Sequence, residues 1–255
     1  MSRYRWWNIL ALAAMIAVNA LAEFVPLNGK TTGGISDRFP TLITPAGYAF
    51  GIWMLIYALL IGYAVYQART ANQSKPVLQA IGPLFIISCL FNIAWILLWH
   101  YRYDRIWLSI LAMAGLFLSL LFLYARTRRH GALPAADRLW VRLPFSIYFG
   151  WVSTALLVNT AVVLTNAGWD GFGRGDETWA LLLLAAGALF AWVVGGPNRD
   201  PLFVLMFVWA YAAIAVKQQS APSIFYTSLG LALLLALLAL SLAFTRRGPS
   251  PYPEP

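Results

Sequence analysis

Eight runs of mainly apolar residues, at 6–23, 45–67, 77–99, 106–124, 141–165, 178–194, 201–216 and 223–244, leave this chain little choice of fold. A helical span of a bilayer core needs roughly 20 apolar residues. In hydrocarbon the backbone can satisfy its own hydrogen bonds only as helices or as a closed barrel, and runs this long and continuous select helix. Composition agrees, with 61% hydrophobic and 11% charged residues in 255 and a mean hydropathy of +0.70. The expected fold is an all-α polytopic membrane protein of about eight transmembrane helices. The sixth and seventh runs are the shortest.

Eight spans put both termini on one side. The segments on that side carry twelve of the 18 Lys and Arg residues, and the opposite segments carry six. That asymmetry follows the positive-inside rule, so both termini are expected to be cytoplasmic; the expected location is an integral membrane protein, in a bacterial inner (plasma) membrane. The asymmetry also accounts for the net charge of +9 without nucleic acid as a partner. Arg3, Arg5, an apolar run and Ala20-Leu21-Ala22 look like a secretory signal. The run is long enough to span, however, and carries Trp6, Trp7, Asn8 and Asn19, so it is expected to be retained.

One cysteine, Cys89, allows no intrachain disulfide and no multi-cysteine metal site. The two histidines, His100 and His130, stand near span ends. No Ser–His–Asp set, paired carboxylate or metal-ligand spacing falls within a span, so the expected protein is not an enzyme, holds no metal and requires no cofactor. His100 and Asp104, four apart, form a candidate interfacial pair. Gly29-Lys30-Thr31 has the end of a phosphate loop, but Phe24 stands where the first glycine belongs and no strand precedes it. Phe24 to Thr44 reads instead as a turn-rich loop or lid.

The polar residues inside the spans are neutral, and aromatic residues accompany them. In the second run Ala46, Phe50, Trp53, Tyr57 and Ile61 follow helical spacing, with Gly47 and Gly51 inviting close approach of a neighbour. In the third, Ser88, Asn92, Trp95 and Trp99 form one stripe. In the fifth, Tyr148, Trp151, Ala155 and Asn159 form another. Three such helices can wall an apolar pocket with a few fixed polar groups, suited to a flat hydrophobic ligand. Interhelical hydrogen bonds of Asn92 and Asn159 explain the same spacing. Spacing alone leaves both readings open. Of the twelve tryptophans, eight lie near span ends at headgroup level, while Trp53, Trp95, Trp151 and Trp209 lie deeper.

The second run, Pro45-Ala-Gly-Tyr-Ala-Phe-Gly51-Ile-Trp53-Met-Leu-Ile-Tyr57, resembles the translocator protein family, the tryptophan-rich sensory proteins (TspO/MBR). Phe91-Asn92-Ile93-Ala94-Trp95 is similar to that family's Leu-Asn-x-x-Trp stretch. Trp151 and Asn159, eight apart, resemble its last helix. The likeness covers about residues 6–165. Thr44 replaces the first proline of the family pair, and Ser109 stands where many members have an acid.

The resemblance implies a five-helix bundle over 1–165 that binds porphyrins, lipids or other hydrophobic small molecules beneath the loop after the first helix. Three further helices over 166–245 and a disordered tail over 246–255 would complete the chain. Carried across, the resemblance implies Trp53, Asn92, Trp95, Trp151 and Asn159 as pocket positions, and with Phe50, Tyr57, Trp99 and Tyr148 from the helical stripes these make up the expected ligand site. The expected function is a membrane receptor or sensor for a tetrapyrrole-class ligand. The alternatives are a carrier of such molecules, with Gly195–Pro201 as a hinge, and light-dependent porphyrin breakdown. Membrane lipids are expected partners, and a homodimer is a further option.

Overall fold

A computed structural model of the chain describes residues 4–169 and 171–244, and the expected tail over 246–255 lies outside them. Eight long helices run through it: α1 Arg5–Phe24, α2 Ile52–Ala68, α3 Leu84–Tyr101, α4 Trp107–Arg128, α5 Leu143–Asn166, α6 Gly175–Gly195, α7 Pro201–Lys217 and α8 Pro222–Phe244. No strand occurs among the described residues. Seven of the helices, with α2 taken together with the turn Gly47–Gly51 that leads into it, are long and apolar enough to cross a membrane. The chain is therefore an all-α polytopic membrane protein.

The exception, α7, has 17 residues, about 25 Å of helix at 1.5 Å per residue. It is short because its surroundings are protein: Phe203, Val204, Phe207, Ala210, Tyr211 and Ile214 are all buried. Two other helices begin later than hydropathy suggests. Gly82, at φ 52°, and Pro83 break the third run, leaving a short separate helix, Pro76–Ile81, before α3. Proline has no N–H and restricts the residue before it, so an apolar run containing Gly-Pro cannot stay one helix. In the second run, Gly47–Gly51 form a 3-10 turn, and regular helix starts at Ile52 rather than at Pro45.

Helix α5 is the hub, packed against α2, α4, α6 and α7. At the end of the bundle that holds the N-terminus, here the terminal end, Tyr63, Phe85 and Phe145 meet edge-on at 5.1–5.8 Å between ring centroids. A second aromatic run joins α4, α5, α6 and α7 through Tyr124, Phe149, Phe190, Phe203 and Phe207. Between α5 and α7 the backbones nearly touch: a Cβ added at Gly150 would lie 2.9 Å from the Phe203 carbonyl oxygen. Gly47 and Gly51, expected to allow such an approach, face open space, with nothing within 4 Å of an added Cβ.

Buried amides tie the remaining helices together. Asn19 Nδ2 donates to Asn92 Oδ1 at 2.7 Å, and Asn92 Nδ2 donates to the Tyr148 hydroxyl at 3.1 Å, linking α1, α3 and α5. Asn8 reaches Gln67 at 3.0 Å and Tyr63 at 3.3 Å across α1 and α2. Helix α1 is thereby built into the bundle at two depths.

Candidate functional site

Residues 25–46 close the opposite end of the bundle, the lid end. Asn28 takes a positive φ of 56° in a 3-10 turn, and Thr31 caps the short helix Thr32–Ser36 by accepting from the Gly34 N–H at 3.1 Å. His100, fully buried, latches this lid to α3. Its Nδ1 lies 3.1 Å from the Leu27 carbonyl oxygen, which only accepts, so Nδ1 carries a proton, and Nε2 is hydrogen-bonded with Thr32 Oγ1 at 3.2 Å. Trp99 Nε1 donates to the Thr32 carbonyl at 3.2 Å, and the Thr32 N–H donates to Glu23 at 3.1 Å. The His100–Asp104 pair does not form. Asp104 meets Arg102 and Arg105 on the surface instead.

Below the lid, Trp53 sits in the first turn of α2 at the centre of a ring cluster. It stacks on Tyr57 at 5.7 Å and on Trp95 at 6.5 Å, and meets Tyr148 and Trp151 edge-on at 5.9 and 6.4 Å. Trp95 stacks on Trp99 at 5.7 Å, and Phe50 meets Trp151 edge-on at 6.4 Å. The 3-10 turn that delivers Phe50 and Trp53 is held from behind by α7. The Ala46 N–H donates to the Ala213 carbonyl at 3.0 Å, and Trp209 Nε1 donates to the Ala49 carbonyl at 3.1 Å.

These rings enclose a cavity of about 40 Å³. Phe50, Trp53, Trp95, Trp99, Trp151 and Asn159 line it, with Thr32, Ser36 and Pro45 from the lid side, Thr154, Ala155 and Val158 from α5, and Ala210 from α7. Two of its tryptophans are incompletely satisfied. Trp95 is 5% exposed and Trp151 3%, and neither indole N–H has a hydrogen-bond partner. A buried donor left unpaired costs about 1–3 kcal/mol, so such groups in a cavity wall are poised for an acceptor. Asn159 is already engaged with Ser109: its Nδ2 donates to Ser109 Oγ at 3.0 Å.

A lateral groove of about 570 Å³ lies on the other side of Trp53, between α1 and α2. Phe50, Trp53, Tyr57 and Ile61 line it, so the stripe read from spacing is real, and it faces this groove. Phe50, Trp53 and Thr32 belong to both spaces and form the wall between them.

Six of the nine expected residues, Phe50, Trp53, Trp95, Trp99, Trp151 and Asn159, therefore meet at one cavity. Tyr57 lies in the groove. Asn92 and Tyr148 line neither space and spend their polar atoms on each other and on α1. Sequence reasoning omitted Thr154 and Val158, although they stand three and seven residues after Trp151 and share its helix face. Thr32, Ser36 and Ala210 carried no such signal, because their part depends on how the lid folds and on where α7 packs. Among the described residues, no group of three or more His, Cys, Asp or Glu side chains is placed to hold a metal.

Comparison with known proteins adds one positive finding. A family model described as TSPO-like protein matches residues 5–241. The match extends through α6–α8, beyond the first five helices on which the motif resemblance rests. No curated protein and no solved structure matches the chain.

Proposed function

The chain belongs to the TSPO-like protein family, and from that premise we propose that it is a membrane receptor for a flat, hydrophobic ligand of the porphyrin class. The observation that carries this reading is the pair of unpartnered indole N–H groups, on Trp95 and Trp151, in the wall of an aromatic cavity. A flat ring system stacks on Trp53, Trp95 and Trp99, and acceptors on its edge take the two free N–H groups. Ligand pockets usually measure about 300–1,000 Å³, so a cavity of about 40 Å³ has to widen. Its wall offers the means, because displacing Phe50 and Trp53 joins it to the 570 Å³ groove. With twelve basic residues on the terminal side, the lid faces away from the cytoplasm.

Titration of the purified protein with protoporphyrin IX, followed by tryptophan quenching, tests the reading. Trp95→Phe or Trp151→Phe removes one N–H bond worth about 1 kcal/mol, and each is expected to weaken binding about fivefold. Trp192→Phe, on the lipid-facing surface of α6, should change nothing. Equal losses in all three variants, or no saturable binding, would remove the assignment.

A further inference from the structure

The geometry points to a route into the aromatic cavity from the lid end, through the junction of α5, α6 and α7, with Ile43 and Leu183 as its gate. This inference rests on the receptor reading above and adds where the ligand arrives. A cleft of about 390 Å³ opens at the lid end, between the strap 40–43 and the ends of α5, α6 and α7. Trp169 and Trp179, with ring centroids 4.5 Å apart, form part of its wall. A second void of about 10 Å³ lies next to it, and Ile43 and Leu183 line both. That small void in turn shares Thr154, Val158 and Ala210 with the aromatic cavity. Three spaces thus follow one another from the surface to the indole N–H groups, each separated from the next by a single layer of side chains.

The chemistry along this line suits an amphipathic disc. The cleft is mixed in character, with Lys217, Gln218 and Asp176 at its edge and apolar side chains behind them. The passage beyond is lined by Leu157, Val158, Ala210 and Ile214 and has no charge. A hydrophobic ring can advance while its polar edge stays in the cleft. The gate also has a moving part. Strap residues Thr41 and Thr44 bond to each other, through Oγ1···Oγ1 at 2.9 Å and Thr44 N–H to Thr41 O at 3.2 Å, so the turn holds its own shape. Gln218, just past α7, fastens it by donating Nε2 to the Thr41 carbonyl at 3.0 Å, and Lys217 at the end of α7 holds Asp37, ahead of the strap, at 2.8 Å. Releasing those two bonds lets the strap carry Ile43 away from Leu183, with the Ala46 N–H to Ala213 carbonyl bond as its pivot. Ala210, the small residue common to the passage and the cavity, sets how wide a ring can pass.

The test reads access directly and needs no ligand. An Ala210→Cys chain is exposed to a small, charged, water-soluble methanethiosulfonate. The wild-type chain, whose one cysteine, Cys89, is fully buried, supplies the background. Leu183→Ala and Gln218→Ala are each expected to raise the modification rate severalfold, and Ile43→Trp to lower it severalfold. Ala58→Trp, which narrows the α1–α2 groove, should leave the rate unchanged. If Ala58→Trp slows modification while the strap and α6 variants do not, the route runs between α1 and α2 and the inference is wrong. A cysteine at 210 that never reacts, or reacts equally in every variant, also overturns it. Protoporphyrin association with the wild-type chain forms a separate arm. Absence of binding there removes the receptor reading, while the thiol rates still decide the route.

Discussion

Asp200 is a buried acid whose charge has to be compensated within the bundle. It is 3% exposed and accepts from the Arg128 guanidinium, from the Tyr124 hydroxyl at 3.0 Å and from the Phe203 N–H at 3.2 Å, the last as the cap of α7. Arg128 also donates to Ser146 at 2.7 Å, so one ion pair ties α4, α5 and α7 together at the terminal end. Removing one partner of a buried pair leaves the other charge uncompensated. Asp200→Asn is therefore expected to cost about 3 kcal/mol, readable as a lowered melting temperature in detergent, and Arg128→Met in the same chain should recover part of it. Lys75 offers a pH-dependent counterpart outside the spans. Hydrogen bonds to Asp137 at 2.7 Å and to Tyr66 at 2.6 Å raise its pKa above the ordinary 10.5. A raised lysine pKa stabilises the fold below 10.5, and that contribution is lost as pH climbs through the folded value. Melting temperature should thus fall more steeply above that pH in the wild-type chain than in Lys75→Met. Legibility in the sequence was uneven at this scale. Trp95, Trp151 and Asn159 could be chosen from helical spacing because the helices are regular there. Asn92 could not be separated from them, because an amide that bonds a neighbouring helix and one that faces a cavity have the same spacing. Asp200 gave no sign of burial, since it follows Pro197-Asn198-Arg199 in what reads as an exposed turn.

At the scale of elements, hydropathy located all eight helices, but two starts were misplaced. Apolarity does not distinguish a 3-10 turn such as Gly47–Gly51 from the helix it leads into, and the difference decides which way Phe50 points. The lid was readable as turn-rich, while its latch was not, because His100 bonds residues 68 and 73 positions away. The most informative element is α7. It presses its Phe203–Met206 turn against Gly150 of α5, and its Trp209 and Ala213 hold the turn that carries Phe50. Gly150→Ala forces a methyl to within 2.9 Å of the Phe203 carbonyl oxygen. Overpacking of this kind costs about 1–3 kcal/mol. The variant should melt earlier, and amide exchange over residues 46–51 should speed up, because α7 can then no longer stay in register with that turn. Gly230→Ala, with open space around its Cβ, should show neither change.

For the molecule as a whole, the question is whether α6–α8 form a moving half or part of the frame around the candidate cavity. A carrier would need 195–201 to hinge, as the Gly-Gly-Pro composition suggests. That turn is instead closed by the Asp200 N–H to the Gly195 carbonyl at 2.9 Å and by the Asp200–Arg128 pair, and a Cβ at Gly195 would lie 2.3 Å from Val204. The aromatic run from Tyr124 through Phe149 and Phe203 to Phe207 crosses the same boundary without a gap. Ala210 completes the cavity wall, and Lys217 and Gln218 hold the strap. In this arrangement the C-terminal helices complete the wall of the candidate cavity and fasten the strap beside it. A chain ended after residue 169 would lose the Ala210 wall, the Trp209 bond and the partner of Arg128 together. It is expected to melt well below the full chain and to lose protoporphyrin binding. Co-expression of 171–244 as a separate segment should restore both if the two parts reassemble through the Phe149–Phe203 contact. Retention of full affinity by the shortened chain would show that the first five helices suffice and that α7 has no part in the site.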